Sequence, residues 1–324
     1  MKKPIFLILL LCMAGLFAWA TSPAITGESD DRVDRTANAP EFEKAVVVLE
    51  ITYKNGEEGL CSGSMIRPNV VLTAAHCLVA RGKYHKKVTV YATGLPEQSM
   101  NYSEPETVKE KTKSVENILR QNVPEKPKVA PTNNMLNNVL NQAKQAQRQH
   151  TAGPNTPSSL AALLSASKFP SATSTGMRVP QAYLDDVEEG DENDFGVVFL
   201  NKPLGKQTGY LRMTVKSDEE LQNKSVAVIG RGGDKPEQTL WRGDGIIGNV
   251  TEAFVYHDAD MVGGNSGGPI MDIEDMSKII ALNNFEIVSS DDPLEQDYPN
   301  GGLRITKEII NTVSRFIREE EQQQ

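Results

Sequence analysis

The sequence predicts an all-β fold closed by one C-terminal α-helix. Three observations carry that expectation. Short β-branched runs recur along the chain, separated by Gly, Asn and Pro turns, the pattern of an antiparallel barrel or sandwich. Ile305, Ile309, Ile310, Val313, Phe316 and Ile317 recur instead at helical spacing, so residues 306–320 read as an amphipathic helix. With 324 residues, 39% of them hydrophobic and 24% charged, the chain has enough apolar material for a real core.

The chain opens on an export signal. Lys2 and Lys3 precede an unbroken apolar run over residues 5–18, and Ala18-Trp19-Ala20 fits the small-x-small cleavage pattern. Residues 1–20 are therefore expected to leave, with Thr21 as the mature start. The run is short for a membrane span, which needs about 20 apolar residues. Residues 21–40 are polar and mixed in charge, a lead-in or pro-segment. Strands follow at Val46 to Leu49 with Ile51, Val70 to Leu72, and Val88 to Tyr91. After a gap they resume at Val197 to Leu200, Val226 to Ile229, Ile246-Ile247, Phe254 to Tyr256, Ile270 to Ile273, Ile279 to Leu282 and Leu303 to Ile305.

The gap, residues 96–180, reads as a low-complexity insertion. In residues 121–180 the chain is dominated by Asn, Gln, Ser, Thr, Pro, Ala and Gly, with one acid, Glu125, and a net charge of +5. Such a composition suits a disordered or loosely helical surface loop. Its sign, opposite to that of the remaining chain, also suits a lid or docking arm.

Net charge is −9, from 43 acidic and 34 basic residues, with a pI of about 5.2. An acidic body repels phosphate backbones, so nucleic acid is not an expected partner. Of the three cysteines, Cys12 goes with the signal. Cys61 and Cys77 remain, and in an exported chain they can pair.

Three segments carry the chemistry. In CSGSMIRPNVVLTAAHC, Cys61 to Cys77, a disulfide would close a strand–turn–strand unit and pin His76. A loop of that size is worth roughly 3 kcal/mol in the chain-entropy account. In GGNSGGP, Gly263 to Pro269, glycines on both sides of Ser266 allow a tight exposed turn. Such a turn can aim the Gly264 and Ser266 amides at one point, as an oxyanion hole requires. In ENDFGVVFL, Asp194 stands just before an apolar strand, with Asp185, Asp186 and Asp191 nearby. A serine hydroxyl needs a base within hydrogen-bond reach, and the base needs an acid to hold its tautomer. Of His76, His85, His150 and His257, only His76 sits at a strand end flanked by cysteine. The candidate triad is thus His76, Asp194 and Ser266. No metal cluster and no phosphate-binding glycine loop appears: GRGGD at Gly230 to Asp234 lacks the lysine. The His257-Asp258 pair reads as structural.

LTAAHC, the Asp194 element and GGNSGGP together resemble the chymotrypsin-fold, trypsin-like serine endopeptidases, in the same His, Asp, Ser order. The second half is similar to the bacterial glutamyl endopeptidase branch, through VAVIGRGGDKPEQTLWRGDGII, YHDADMVGGNSGGP and NGGLRI. The resemblance covers about residues 42–95 and 181–318. It implies two six-stranded antiparallel β-barrels, over 41–205 (interrupted by 96–180) and 206–324, with the site in the cleft between them. It further implies a secreted or periplasmic enzyme acting on protein or peptide substrates, with no cofactor and no membrane once the signal is gone. A catalytically inactive protease-fold binding protein is the alternative.

For the pocket, the resemblance places Asp260 where trypsin-like enzymes carry the acid that pairs with Arg or Lys, although in bacterial relatives an acid there can be structural. Met261 and Asn283 stand where glutamyl endopeptidases have a Thr or Ser and a His, so glutamate selectivity is not expected. Phe285 is read as replacing a pocket-wall glycine and narrowing the pocket. Asn265, beside the serine, is uncharged, which argues against activation by an ion pair to a freed N-terminus.

Overall fold

Twelve strands form two rings. The structure, a computed structural model, describes residues 25–26, 29–97, 169–185, 192–287 and 293–323. These lie in one of the chain's two compact units, Met1–Gln98 with Phe169–Gln324. The expected signal at 1–20 lies outside the described residues, as does the chain between 98 and 168.

In the first ring, β1 (Val46–Thr52), β2 (Glu58–Arg67), β3 (Val70–Thr73), β4 (Lys87–Tyr91), β5 (Ser171–Arg178) and β6 (Gly196–Leu200) close in the order β1-β2-β3-β6-β5-β4. The runs VVVL and GVVFL do not alternate, because every residue in them is buried. One face fills the barrel and the other is covered by the rest of the molecule, which suits a continuous apolar run. In the second ring, β7 (Ser225–Gly230), β8 (Trp241–Val250), β9 (Phe254–His257), β10 (Pro269–Asp272), β11 (Asp275–Glu286) and β12 (Asn300–Arg304) run β8-β7-β10-β11-β12-β9. Pairing of β9 with β8 closes it, with Ile247 opposite His257. The two-barrel expectation and the positions of the apolar strands are borne out.

The C-terminal helix is also borne out, as α1 (Lys307–Glu321). The Thr306 hydroxyl caps it by accepting the Ile309 N–H at 3.2 Å. Ile309, Val313, Phe316 and Ile317 are its buried face. Arg178 of β5 donates to Glu320 at 2.9 Å, so the helix that follows the second barrel is fastened to the first.

One boundary differs. The insertion expected over 96–180 ends earlier, because 171–178 are barrel strand β5, paired with β4 and β6. The segment SATSTGMR carries almost no apolar alternation, so its composition conceals a strand that the neighbouring strands impose. Ala172 within it and Phe169 just before it are buried.

The lead-in is stitched to the second barrel. Val33 and Asp34 add a short strand to β8, opposite Arg242 and Trp241. The Arg32 guanidinium is buried between Asp30 and Asp234. Glu43 is 2% exposed and receives Arg35 at 2.8 Å and Arg242 at 2.6 Å. Both arginines keep some solvent contact, so Glu43→Ala is expected to cost about 3 kcal/mol, the lower end for breaking a buried pair. A shifted urea midpoint with unchanged slope is the check.

Candidate active site

His76 sits in a 3₁₀ turn, Ala75–Cys77, immediately after β3. The expected disulfide is present and ties that turn to β2, with Cys61 and Cys77 Cα atoms 6.1 Å apart. Asp194, fully buried, lies two residues before β6. Its Oδ1 accepts the His76 backbone N–H at 2.9 Å, and its Oδ2 accepts the ring Nδ1–H at 2.7 Å. With the proton on Nδ1, the imidazole lone pair lies on Nε2. Burial alone would push the Asp194 carboxyl up. The charge and hydrogen bonds of His76, joined by Asn284, outweigh burial and hold it below the ordinary carboxylate range.

Ser266 lies in the loop between β9 and β10, between Gly264 (φ +105°) and Gly267 (φ +77°). Both angles belong to the left-handed side of the map, where glycine is favoured. At Gly267 a Cβ would also lie 2.1 Å from the Thr73 hydroxyl. The Ser266 carbonyl accepts the Ser62 N–H at 2.9 Å, and Cys77 Sγ lies 3.6 Å from the same oxygen. The Ser266 loop thus rests against the residues following Cys61 and His76, and the three sequence-predicted residues share one neighbourhood.

Two residues missed by sequence reasoning complete it. Asn284 Nδ2 donates at 2.8 Å to both the backbone carbonyl and Oδ2 of Asp194. The polar pair Asn283-Asn284 inside an apolar strand was the available signal. Ser62, fully buried on β2, donates its hydroxyl to the Gly264 carbonyl in the Ser266 loop.

The pocket candidates divide. Asn283 is fully buried, and its backbone exchanges hydrogen bonds with Gly267 (2.7 Å) and Gly268 (2.9 Å) beside the serine. Met261 is buried. Phe285 packs edge-on against Phe254 and Tyr256, at 5.4 and 6.0 Å between centroids. Its ring covers Gly301, where a Cβ would come within 2.2 Å. Asp260 is 2% exposed, and its carboxylate grips the lead-in. Oδ1 accepts the Thr26 N–H (2.6 Å) and hydroxyl (3.1 Å), and Oδ2 accepts the Asp31 N–H (3.1 Å).

Among the described residues, Cys61, His76 and Cys77 place potential metal-ligand atoms within 4.8 Å of one another. The disulfide consumes both sulfurs, so the group does not offer the thiolates that a metal would need.

His257 is fully buried at the end of β9. Burial holds its pKa down at about 4, with the neighbouring Asn283 amide opposing. An unfolded imidazole titrates near 6.5, so between those values the unfolded chain holds a proton that the folded one lacks. Stability should therefore fall as pH is lowered through that window, by about 3 kcal/mol in total. Urea unfolding at pH 7 and pH 4 checks this. His257→Asn should remove most of the difference, and an unchanged pH dependence in the variant would refute it.

The sequence matches the trypsin-like peptidase domain family over residues 61–282, and the chain belongs to that family. It is 25% identical over 150 residues to glutamyl endopeptidase of Bacillus licheniformis, covering 46% of each chain. It is 31% identical over 70 residues to glutamyl endopeptidase of Staphylococcus aureus strain MW2, covering 22% of this chain and 21% of that one. The chain thus spans less than half the length of these curated relatives. Among solved structures, a Glu endopeptidase in complex with MPD superposes with a TM-score of 0.53 at 19% identity, covering 89% of this chain and 96% of that one. The protease Anisep from Arthrobacter nicotinovorans gives 0.52 at 14% identity, covering 87% and 96%. Both share the fold.

Proposed function

We propose that the protein is a serine endopeptidase working through an acyl-enzyme. The carrying observation is the fully buried Asp194 bonded at 2.7 Å to Nδ1 of His76, beside the Ser266 loop. In this reading His76 Nε2 takes the Ser266 hydroxyl proton as the oxygen attacks the scissile carbonyl. Asp194 holds the ring in the tautomer protonated on Nδ1, with the lone pair on Nε2, and stabilises the imidazolium that follows. The Gly264 and Ser266 amides receive the developing oxyanion. His76 then returns the proton to the leaving amine, and water repeats the sequence on the acyl-enzyme. No step requires a cofactor.

Export by way of residues 1–20 belongs to the same proposal, as does the division into a first barrel over 41–205 and a second over 206–324. Among the described residues no helix is long and apolar enough to cross a membrane.

For the primary pocket we propose a preference other than glutamate, although the curated relatives are named glutamyl endopeptidases. Met261 and Asn283 are neutral and Asp260 is acidic, so the set supplies no cation for a carboxylate. The charge of Asp260 repels a carboxylate, and a basic side chain would reach it only by displacing the Thr26 and Asp31 N–H donors that hold it.

A fluorophosphonate probe tests the catalytic reading: labelling of wild type that is lost in Ser266→Ala supports it. Absence of labelling in folded wild type would instead indicate a protease-fold binding protein. Digestion of a peptide library tests the pocket. Cleavage after Arg or Lys supports Asp260 as selector, cleavage after Glu overturns the reading, and cleavage after uncharged residues leaves Asp260 with the lead-in alone.

A further inference from the structure

A buried hydroxyl in the first barrel grips the oxyanion loop of the second. Ser62 is fully buried on β2, opposite Val48 of β1. Its backbone is fixed at both polar atoms. The N–H donates to the Ser266 carbonyl at 2.9 Å, and the carbonyl accepts the Thr73 hydroxyl at 2.7 Å. The side chain is then spoken for twice. Oγ–H donates to the Gly264 carbonyl at 2.9 Å, while Oγ accepts the Arg231 N–H at 2.9 Å. One donor and one acceptor are used, which suits a buried hydroxyl.

The geometry around Gly264 gives those two bonds a consequence. Gly264 sits at φ +105°, between two peptide planes that its missing Cβ leaves free to rotate. The plane before it carries the Gly264 N–H, and in a trans peptide that N–H points opposite to the Gly263 carbonyl. The Gly263 carbonyl is held by the Gly233 N–H at 2.7 Å. The plane after it carries the Gly264 carbonyl, held by Ser62. Arg231, which donates to the same hydroxyl, is two residues from Gly233. A single oxygen thus fastens the following plane directly and the preceding plane through the 231–233 segment. Little room is left for slack: a Cβ at Gly230 would lie 2.6 Å from Ser62 Oγ, and one at Gly268 would lie 3.3 Å from Ser62 Cβ.

We propose that Ser62 is a positioning residue for the oxyanion hole, holding the Gly264 N–H toward the reacting carbonyl. The inference rests on the serine endopeptidase reading. Removing an oxyanion donor outright costs roughly 100- to 1,000-fold in kcat. Loosening one through its support should cost less, on the order of 10- to 100-fold. The loss should fall on kcat, because the hole engages the oxyanion more strongly than the ground-state carbonyl.

The test compares wild type with Ser62→Ala, each at a concentration set by active-site titration. Expected are a kcat roughly 10- to 100-fold lower, a KM within about threefold, and a peptide-aldehyde affinity weakened in step with kcat/KM. Unchanged kcat in the titrated variant overturns the proposal, and so does a loss confined to KM. Should Ser62→Ala fail to fold, Gly233→Pro removes the N–H at the other end of the clamp, from a solvent-exposed position. It should show the same selective loss, and wild-type kcat there would equally overturn the idea. Failure of the parent reading looks different, since wild type itself would not titrate with a serine-directed probe.

Discussion

Ser266→Ala should fold normally and lose roughly a millionfold in kcat, the scale on which nucleophile removal acts in a triad. The neighbourhood predicts a clean loss. The Ser266 contacts with Ser62 N–H and Cys77 are made through its backbone carbonyl, which alanine keeps. The flanking positive φ angles belong to Gly264 and Gly267, so the turn does not depend on the serine side chain. What disappears is the hydroxyl, and with it the acyl-enzyme of the proposed mechanism. Binding and the oxyanion amides remain, so KM for a peptide ester should change by no more than about threefold, with a residual rate on the order of 1,000-fold over water. His76→Ala should be equally severe, and the double variant no worse than either single, because base and nucleophile act as one unit. Steady-state kinetics with highly purified protein decide it. Retention of more than about a tenth of wild-type kcat in Ser266→Ala would place the nucleophile elsewhere.

How far the site was legible depends on where each contact lies in the chain. His76, Asp194 and Ser266 stood out because each is local in character: a strand end beside cysteine, an acid before an apolar run, a serine among glycines. The apolar strands were legible for the same reason. Strand β5 was not, since SATSTGMR is built of small polar residues and becomes a strand only through the pairing of β4 and β6 around it. Strand β2 carries Ser62, whose hydroxyl partner Gly264 is 202 positions away. No local pattern announces such a contact. Asp260 makes the same point in reverse. Its place six residues before Ser266 suggested a pocket role, whereas its hydrogen bonds reach Thr26 and Asp31, 234 and 229 positions away. Asn284 lay between these cases, visible as a polar residue in an apolar strand, though its target was not.

Asp194→Asn is expected to lower kcat by about 10,000-fold, the scale set by a wrongly held tautomer. Oδ1 of Asp194 accepts the His76 backbone N–H, while Oδ2 accepts both His76 Nδ1–H and Asn284 Nδ2–H. A carboxylate satisfies all three, but an amide has one oxygen and one NH₂. With the oxygen toward Nδ1, the NH₂ faces the His76 backbone N–H, donor against donor. With the oxygen toward that N–H, the NH₂ faces Asn284 and drives the imidazole to the tautomer protonated on Nε2. That tautomer cannot take the Ser266 proton. Asn284→Ala leaves the carboxylate with both His76 donors, so it should cost only roughly tenfold, the worth of one hydrogen bond to a charged group. Both variants should keep KM near the wild-type value. The ordering is the decisive readout: an Asn284→Ala loss equal to that of Asp194→Asn would mean that the carboxylate is held for packing and does not set the His76 tautomer.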